Sequence, residues 1–397
     1  MFKVLKRSKK SKARLGIIKT AHGNIKTPSL VPVATKGTLK AISPKDLKTI
    51  GVQAAFVNTF HLTDHPGADV IKKFGGIHKY AGLDMPLMSD SAGFQVFSLG
   101  RRSPDANVGA KAARRAKISD SDEAPLLSIR EEGARFRSPR DGKEIIFTPE
   151  LSIKNQQKIG ADIMMAFDEC IYYGADYEYT KEATERTHRW LLRCISNEKK
   201  NSYVNIQDAH DRDHLVYDQY LYGIVQGGVF KDLRIASAKF VAEQNVDGVA
   251  IGGVSVGETK KELRDQVKWV APYLPKDKPV HLLGVGRIED IYDLVKYGID
   301  TFDCVEPTRL ARNGIVFAAH RNRFTRTDLM KTKYLRDKNS IQKNCACYTC
   351  QNFSLSFLHH LFKEKELLAY YLSTYHNLYF FEQIFSDIRS KIANDML

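Results

Sequence analysis

The run GIDTFDCVEPTRLARNG at residues 298–314 puts Asp303 where a β-like apolar stretch gives way to a proline turn carrying Arg309 and Arg312. A carboxylate at that junction can attack an electrophile or move a proton, and two arginines beside it can hold a phosphate backbone. Two further carboxylates occupy comparable places. Asp90 lies in Met88-Ser-Asp-Ser91-Ala-Gly-Phe94-Gln, where small residues let a substrate approach the backbone and Phe94 offers a stacking face. Asp168 ends the apolar run at residues 163–167, where burial raises a carboxyl pKa unless a donor satisfies it. A pair of carboxylates flanking a C–N or C–O glycosidic bond divides the work: one attacks the anomeric carbon, the other manages the leaving group's proton. Taken singly, an aspartate at a strand end suits a helix cap as well as chemistry. Three at the same end of one sheet point to function.

Two glycine-rich stretches, Gln226-Gly227-Gly228 and GGVSVGE at residues 252–258, match neither the dinucleotide fingerprint nor the Walker pattern. They suit flat walls against a planar base, because glycine removes the Cβ and bares backbone N–H donors. Near the C-terminus, Cys345-x-Cys347-x2-Cys350 is followed by His359, His360 and His376. Three thiolates and one imidazole make a closed, tetrahedral and therefore structural zinc site. Spacing alone leaves the choice among the three histidines open.

These residues need a scaffold. Apolar runs at residues 53–60, 85–90, 160–167, 221–225, 246–251, 280–283 and 299–305 alternate with helical patterns at 69–80, 178–197, 231–245, 260–270 and 288–296. Such alternation implies parallel strands joined by right-handed crossovers. Strand after strand ends on a polar residue or glycine: Asn58, Asp90, Asp168, Gln226, Gly252, Gly284, Asp303. That is the pattern of an α/β fold of the (β/α)₈ TIM-barrel type with its site at the strands' C-terminal ends. An open doubly wound sheet is the alternative, and convergence from seven strands rather than one crevice favours the barrel.

Residues 14–315 are accordingly read as the catalytic barrel, and 316–397 as a zinc-binding subdomain with closing helices. Residues 13–33 read as an antiparallel hairpin, and 1–13 as a flexible, solvated basic arm. Residues 100–125, rich in charge and poor in large apolar side chains, read as a disordered insertion.

The chain has 397 residues, enough for a large core, and its 61 Lys+Arg against 46 Asp+Glu leave a net charge of +15. Such an excess favours a polyanionic partner, with nucleic acid the leading candidate. No apolar run approaches the roughly 20 residues of a membrane span, and the N-terminus lacks the apolar stretch of a secretory signal. A cytoplasmic protein is expected, and cysteines crowded in a reducing compartment agree with a metal site rather than disulfides.

Taken in order, residues 90–95 (DSAGFQ), 167–170 (FDEC), 223–228 (GIVQGG), Gly252-Gly253, 302–305 (FDCV), Pro307-Thr-Arg309, Arg312-Asn-Gly314 and the cysteine cluster resemble the tRNA-guanine transglycosylases, particularly the bacterial type. The resemblance implies exchange of the wobble guanine of GUN-anticodon tRNAs for a 7-deazaguanine, in queuosine biosynthesis. By the same resemblance, Asp303 is the nucleophile that forms a covalent intermediate at ribose C1′, and Asp90 is the general acid and base. Asp168, Gln226, Gly253, Ser91, Cys170 and Glu258 would contact the base, Phe94 and Leu283 would sandwich it, and Arg309 and Arg312 would grip the anticodon loop. His376 would complete the zinc site with Cys345, Cys347 and Cys350, one Zn2+ per chain, with no organic cofactor. Cys170 and Val256 match the pattern that accompanies the small 7-aminomethyl base, whose cation Glu258 could pair. Ala92, Phe94 and Leu283 depart from the residues frequent in the family, by changes that leave volume nearly unchanged. A homodimer is the family's expected assembly.

Overall fold

Short apolar strands followed by glycine or polar residues alternate with helices in the computed structural model, which describes residues 2–93, 126–138, 141–198, 218–320 and 323–397. The insertion expected at residues 100–125 lies outside the described residues. Two compact units share the chain: Met1–Phe56, Ala81–Pro86 and Gly284–Leu397 form one, Val57–Tyr80 and Leu87–Leu283 the other.

The first unit opens with an antiparallel sheet of β1 (Phe2–Arg7), β2 (Arg14–Thr20) and β3 (Gly23–Thr27). The N-terminal segment expected as a solvated arm therefore differs in the structure. Phe2 to Arg7 pair with β2 across a bulge, and the Arg14 guanidinium lies 4.9 Å over the Phe2 ring. Phe2, Val4 and Lys6 are half-buried on one face of this strand and Lys3, Leu5 and Arg7 exposed on the other, an alternation that a count of basic residues does not register. The expected hairpin is also divided. Its second half ends at Thr27, and Pro28, which has no N–H to donate to a ladder, separates β3 from β4 (Ser29–Pro32).

β4 is the first of eight parallel strands, followed by β5 (Ala55–Val57) and β6 (Leu87–Ser89). A second antiparallel sheet, β7 (Leu126–Arg130), β8 (Gly133–Arg137) and β9 (Glu144–Phe147), comes next in the chain and was not expected from the sequence. Its Phe136 and Phe147 rings stack at 5.6 Å, and Phe136 meets Phe60 edge-on at 5.2 Å. The remaining parallel strands are β10 (Ile163–Met165), β11 (Tyr220–Val225), β12 (Gly248–Ile251), β13 (Val280–Leu282) and β14 (Thr301–Cys304).

Their order in the sheet is β4-β14-β13-β12-β11-β10-β6-β5. A parallel bridge between Val33 and Phe56, with the Ala34 N–H donating to the Phe56 carbonyl at 2.7 Å, joins β4 to β5 and closes the sheet. The barrel reading holds and the open sheet does not. The side chains of β4, β5, β6, β10, β12 and β14 are buried on both faces, as parallel strands covered by helices must be. Helices Pro149–Ile159, Tyr177–Asn197, Lys231–Glu243, Lys260–Val270 and Ile288–Val295 are the crossovers. Their starts are legible: Thr148, Asp176 and Thr259 each accept a backbone N–H at the N-cap, Thr259 within a capping box. The single helix expected at 69–80 is instead two, Ala68–Lys73 and Ile77–Ala81. Gly75 and Gly76 take φ of 84° and 90° between them, a left-handed conformation that no helix continues through.

Within the first unit, Arg14 and Asp300 form a buried bidentate pair, Nε to Oδ1 at 3.0 Å and Nη2 to Oδ2 at 2.5 Å. The chain then ends on β15 (Ile315–His320), β16 (Arg323–Asp328) and the helix Leu367–Ala393, whose Phe385 packs on Phe302 of β14 at 5.8 Å.

Candidate active site

In the second unit the site begins with Asp90, the residue after β6. Its backbone N–H reaches the Val57 carbonyl at 3.1 Å. Its carboxylate is held from behind by the Asn58 amide, by the Thr59 N–H at 2.8 Å and by the Ala92 N–H at 3.2 Å. Asn58 also caps the helix Thr59–Asp64 through the His61 N–H. One polar strand end thus orients a carboxylate from the next.

Asp168, after β10, is buried beside two partners. The Ser91 hydroxyl donates to its Oδ1 at 2.9 Å and the Gln226 amide to its Oδ2 at 2.7 Å. Ser91 is held in turn by the Ser152 hydroxyl, which donates to its carbonyl at 2.7 Å. Burial raises the Asp168 pKa from 3.8 to about 6, against the two donors that lower it. Gly93 is forced here, because a Cβ on it would collide with the Asp168 carboxylate. The neighbouring Glu169 is structural: it is buried and takes Tyr179 at 2.6 Å and Arg186 at 2.5 Å.

Gln226 follows β11 and is fully buried. Its Nε2 is committed to Asp168, while its Oε1 has no hydrogen-bond partner among the described residues. Gly252 and Gly253 follow β12, and a Cβ on Gly253 would collide with that same Gln226 oxygen. The glycine pair is thus a gap kept open for an amide. Cys170 is half-buried, with its thiol pushed up by burial. Glu258 accepts backbone N–H groups from Ser255, from Val256 at 2.9 Å and from Gly257 at 3.1 Å, which folds its loop around the carboxylate. Leu283 is partly exposed just after β13, its N–H on the Ile251 carbonyl at 3.1 Å. Phe94 lies outside the described residues.

In the first unit, Asp303 sits in β14, 9% exposed, and its Oδ1 accepts the Gly284 N–H at 2.8 Å. The helix Glu306–Arg312 follows at once and carries Arg309, exposed, and Arg312, whose Nη1 donates to the Thr308 carbonyl at 2.9 Å. Lys36 and Lys40, from the loop after β4, stand in the same electrostatic neighbourhood. Burial, then Arg312, Lys36 and Arg309, hold the Lys40 ammonium below its ordinary range. Cations from this loop and from the helix Glu306–Arg312 thus gather around Lys40, and the two lysines are neighbours of the arginines that sequence reading missed.

The metal-ligating set is also in the first unit. Cys345, Cys347, Cys350 and His376 are buried with their ligand atoms within 4.8 Å of one another. The His376 Nε2 donates to the Phe317 carbonyl at 2.7 Å, so Nδ1, 3.3 to 4.0 Å from the three sulfurs, is the donor turned inward. His359 is spent on the Leu329 carbonyl at 2.7 Å and His360 is exposed. Four soft and borderline donors with a fixed tautomer fit a structural metal ion.

A residue given no role from sequence joins the two glycine exits. Arg234, on the helix Lys231–Glu243, is 0% exposed and spends its donors on Gly228, Gly252, Gly253, Val225 and Gln266. In sequence it looks like one more charge on an amphipathic helix.

Eight parallel strands in a barrel with carboxylates at strand ends, together with a buried Cys3His cluster, define an α/β-barrel protein with a metal-ligating set. The family model described as "Queuine tRNA-ribosyltransferase" matches residues 8–397. Curated proteins named queuine tRNA-ribosyltransferase align along the chain: one from Caldanaerobacter subterraneus is 42% identical over 100% of this chain and 94% of its own length. Those from Natranaerobius thermophilus and Staphylococcus aureus are 40% and 41% identical, over 98% and 99% of this chain and 93% and 92% of theirs. The chain belongs to the queuine tRNA-ribosyltransferase family, the pentosyltransferases that are tRNA-guanine transglycosylases.

The raised pKa of Asp168 has a thermodynamic consequence. Because the folded value, about 6, lies above the unfolded one, its stability contribution is complete below about pH 4 and is lost as pH rises through 6. The loss is on the order of 3 kcal/mol, at about 1.4 kcal/mol per pKa unit. Denaturant unfolding of wild type and Asp168→Asn should therefore diverge between pH 4 and 7, with wild type declining relative to the variant. A pH-independent difference contradicts the assignment.

Proposed function

We propose that this protein exchanges the wobble guanine of GUN-anticodon tRNAs for a 7-deazaguanine by double displacement, as a step of queuosine formation. The observation that carries the base-recognition part is the Asp168–Gln226–Gly253 wall: a buried carboxylate, a buried amide oxygen without a partner, and a glycine gap beside it. Those groups complement the donor-and-acceptor edge of a purine and are costly to bury for any lesser reason.

In the mechanism, a carboxylate oxygen of Asp303 attacks ribose C1′ as the C1′–N9 bond breaks, and the electron pair leaves with guanine. Asp90 gives the departing base a proton. It then takes one from the incoming base, whose nitrogen attacks C1′ and expels Asp303. Two inversions at one carbon retain configuration, as in retaining glycosidases. One glycosidic bond replaces another of similar energy, so no energy source is required. Asp168 would accept from the base's Watson–Crick edge, while the Gly253 N–H and the second Nε2 hydrogen of Gln226, whose first is on Asp168, would donate to its carbonyl. Ser91 orients Asp168, Phe94 and Leu283 stack, and Cys170 and Glu258 bound the side where a 7-substituent projects. The wobble base is unstacked in its loop, so flipping it out costs little. Arg309 and Arg312, with Lys36 and Lys40, would hold the loop's phosphates, and the enzyme would act in the cytoplasm, where tRNA is.

Incubation with tRNA should give a covalent adduct that survives denaturing electrophoresis, and Asp303→Asn should abolish both adduct and guanine exchange. Persistence of both in the variant removes Asp303 from the nucleophile's place, and no exchange by the wild-type chain would instead favour a non-catalytic RNA-binding partner.

The base installed is proposed to be 7-aminomethyl-7-deazaguanine, because Cys170 and Val256 match the pattern that accompanies the small aminomethyl base, queuine being accompanied by a smaller residue at the Val256 position. Mass spectrometry of tRNA exposed to an equimolar mixture of the two bases should show the aminomethyl form. Preferential incorporation of queuine reverses this assignment.

The metal is proposed to be one structural Zn2+ per chain, held by Cys345, Cys347, Cys350 and His376. It would tie β15 and the helix Leu367–Ala393 to the cysteine loop, and no chemical step uses it. On that subdomain Tyr348, Phe353, Phe357 and His360 form a run of rings spaced 5.5 to 6.4 Å, with Tyr348 and Phe357 exposed. Such an aromatic face suits a second copy of the chain. Light scattering should give twice the chain mass, with one zinc per chain by elemental analysis. Chelation that removes the zinc should return a monomer with a protease-sensitive C-terminal region. A zinc-loaded monomer would discard the dimer.

A further inference from the structure

Arg234 is the residue whose cost the reading so far leaves unexplained. Its guanidinium is 0% exposed, and every hydrogen-bond acceptor it has among the described residues is a neutral oxygen. Nε donates to the Gly228 carbonyl at 2.7 Å, Nη1 to those of Gly252 at 2.6 Å and Val225 at 3.4 Å, and Nη2 to Gly253 at 2.7 Å and Gln266 Oε1 at 2.6 Å. Burial lowers its pKa to about 10, which leaves it charged at neutral pH. A cation buried without a carboxylate in contact is expensive. Tying two loops together could be done by a neutral side chain at lower cost, so the charge calls for a use.

The geometry supplies one. The only cis peptide bonds among the described residues are Thr27–Pro28 and His65–Pro66, so the Gly252–Gly253 peptide is trans. Its carbonyl and its N–H therefore point in opposite directions. With the carbonyl on Arg234, the Gly253 N–H faces away from the guanidinium and toward the Cys170 thiol, which the base-exchange reading places against the base. A cation on a peptide's carbonyl polarises the unit and strengthens its N–H as a donor. The peptide is also wedged in place. A Cβ on Gly253 would collide with the unpaired Gln226 oxygen on one side and stand 3.3 Å from Arg234 Nη2 on the other.

We propose that Arg234 is a positioning residue that acts through the Gly252–Gly253 peptide to stabilise negative charge on the carbonyl of the departing base. This rests on the base-exchange reading and deepens it. When the C1′–N9 bond breaks, the electron pair delocalises from the ring nitrogen onto the base's carbonyl oxygen until Asp90 delivers its proton. A donor fixed beforehand at that oxygen and backed by a buried charge lowers the barrier, and it does more for the transition state than for the neutral base.

The test is the single-turnover rate of covalent adduct formation with tRNA in wild type, Arg234→Met, Arg234→Lys and Gln266→Glu, alongside tRNA affinity and the KM for free guanine. Arg234→Met should slow base release by roughly a hundredfold with tRNA affinity within about twofold of wild type. Arg234→Lys should recover part of the loss, since it keeps charge but not the fork. Gln266→Glu is nearly isosteric, and it sets a carboxylate against Arg234 where Gln266 Oε1 now lies at 2.6 Å. It should slow release by roughly tenfold by neutralising the cation, and it serves where the Arg234 variants fail to fold. Release at the wild-type rate in Gln266→Glu overturns the proposal, as does a loss in Arg234→Met that falls wholly on the KM for guanine. Absence of any adduct with the wild-type chain is the separate failure of the base-exchange reading.

Discussion

Everything polar at the ends of these strands must be paired or must wait for a ligand, because the strands themselves are dry. Side chains along β4, β6, β10, β12 and β14 are buried on both faces, and Asp168, Gln226 and Asp303 at strand ends are buried with them. Each group there is satisfied by another: Asp168 by Ser91 and Gln226, Asp90 by Asn58 and Thr59, Arg234 by three glycine carbonyls. Desolvation is what raises Asp168 and what gives the unpaired Gln226 oxygen its meaning. An acceptor left over in such surroundings is a place kept for a donor.

The glycines obey the same constraint by another route. Gly93 leaves room for the Asp168 carboxylate, and Gly252 and Gly253 leave room for the Gln226 amide. At these positions the absence of a Cβ matters more than backbone freedom, although Gly253 also has φ of 60°. Packing, burial and chemistry are one problem here: a methyl group added at any of the three would displace the polar group that defines the pocket wall.

Much of this was legible without coordinates. Alternating runs and helical patterns located seven of the eight barrel strands to within about three residues, since parallel strands covered on both sides must be short, apolar and ended by punctuation, while β4 fell inside the stretch read as a hairpin. The cysteine spacing gave three members of the metal-ligating set, and the resemblance supplied the fourth, His376. Errors came where a local pattern has two readings. The mixed basic and apolar run at residues 2–7 fits a solvated arm or an edge strand, and pairing with β2 decided for the strand. Residues 69–80 have helical periodicity, but two consecutive left-handed glycines divide them. The sheet β7–β9 follows a charged stretch and is held by aromatic contacts with Phe60 from far upstream, which no local window registers.

By itself the sequence determined the inventory: which side chains can attack, donate, stack or bind metal, and the order in which short strands and helices present them. Those properties belong to single residues and to near neighbours, so one dimension holds them. Only the tertiary structure decided partnership. It turned Arg234 from a surface charge into a buried clamp on two glycine loops, assigned Lys36 and Lys40 to the cluster of Arg309 and Arg312, and aimed the His376 Nδ1 inward by spending its other nitrogen on Phe317. The physical reason is common to all three. Desolvation and hydrogen bonding act between groups a few ångströms apart, and such groups come from segments tens or hundreds of residues apart along the chain.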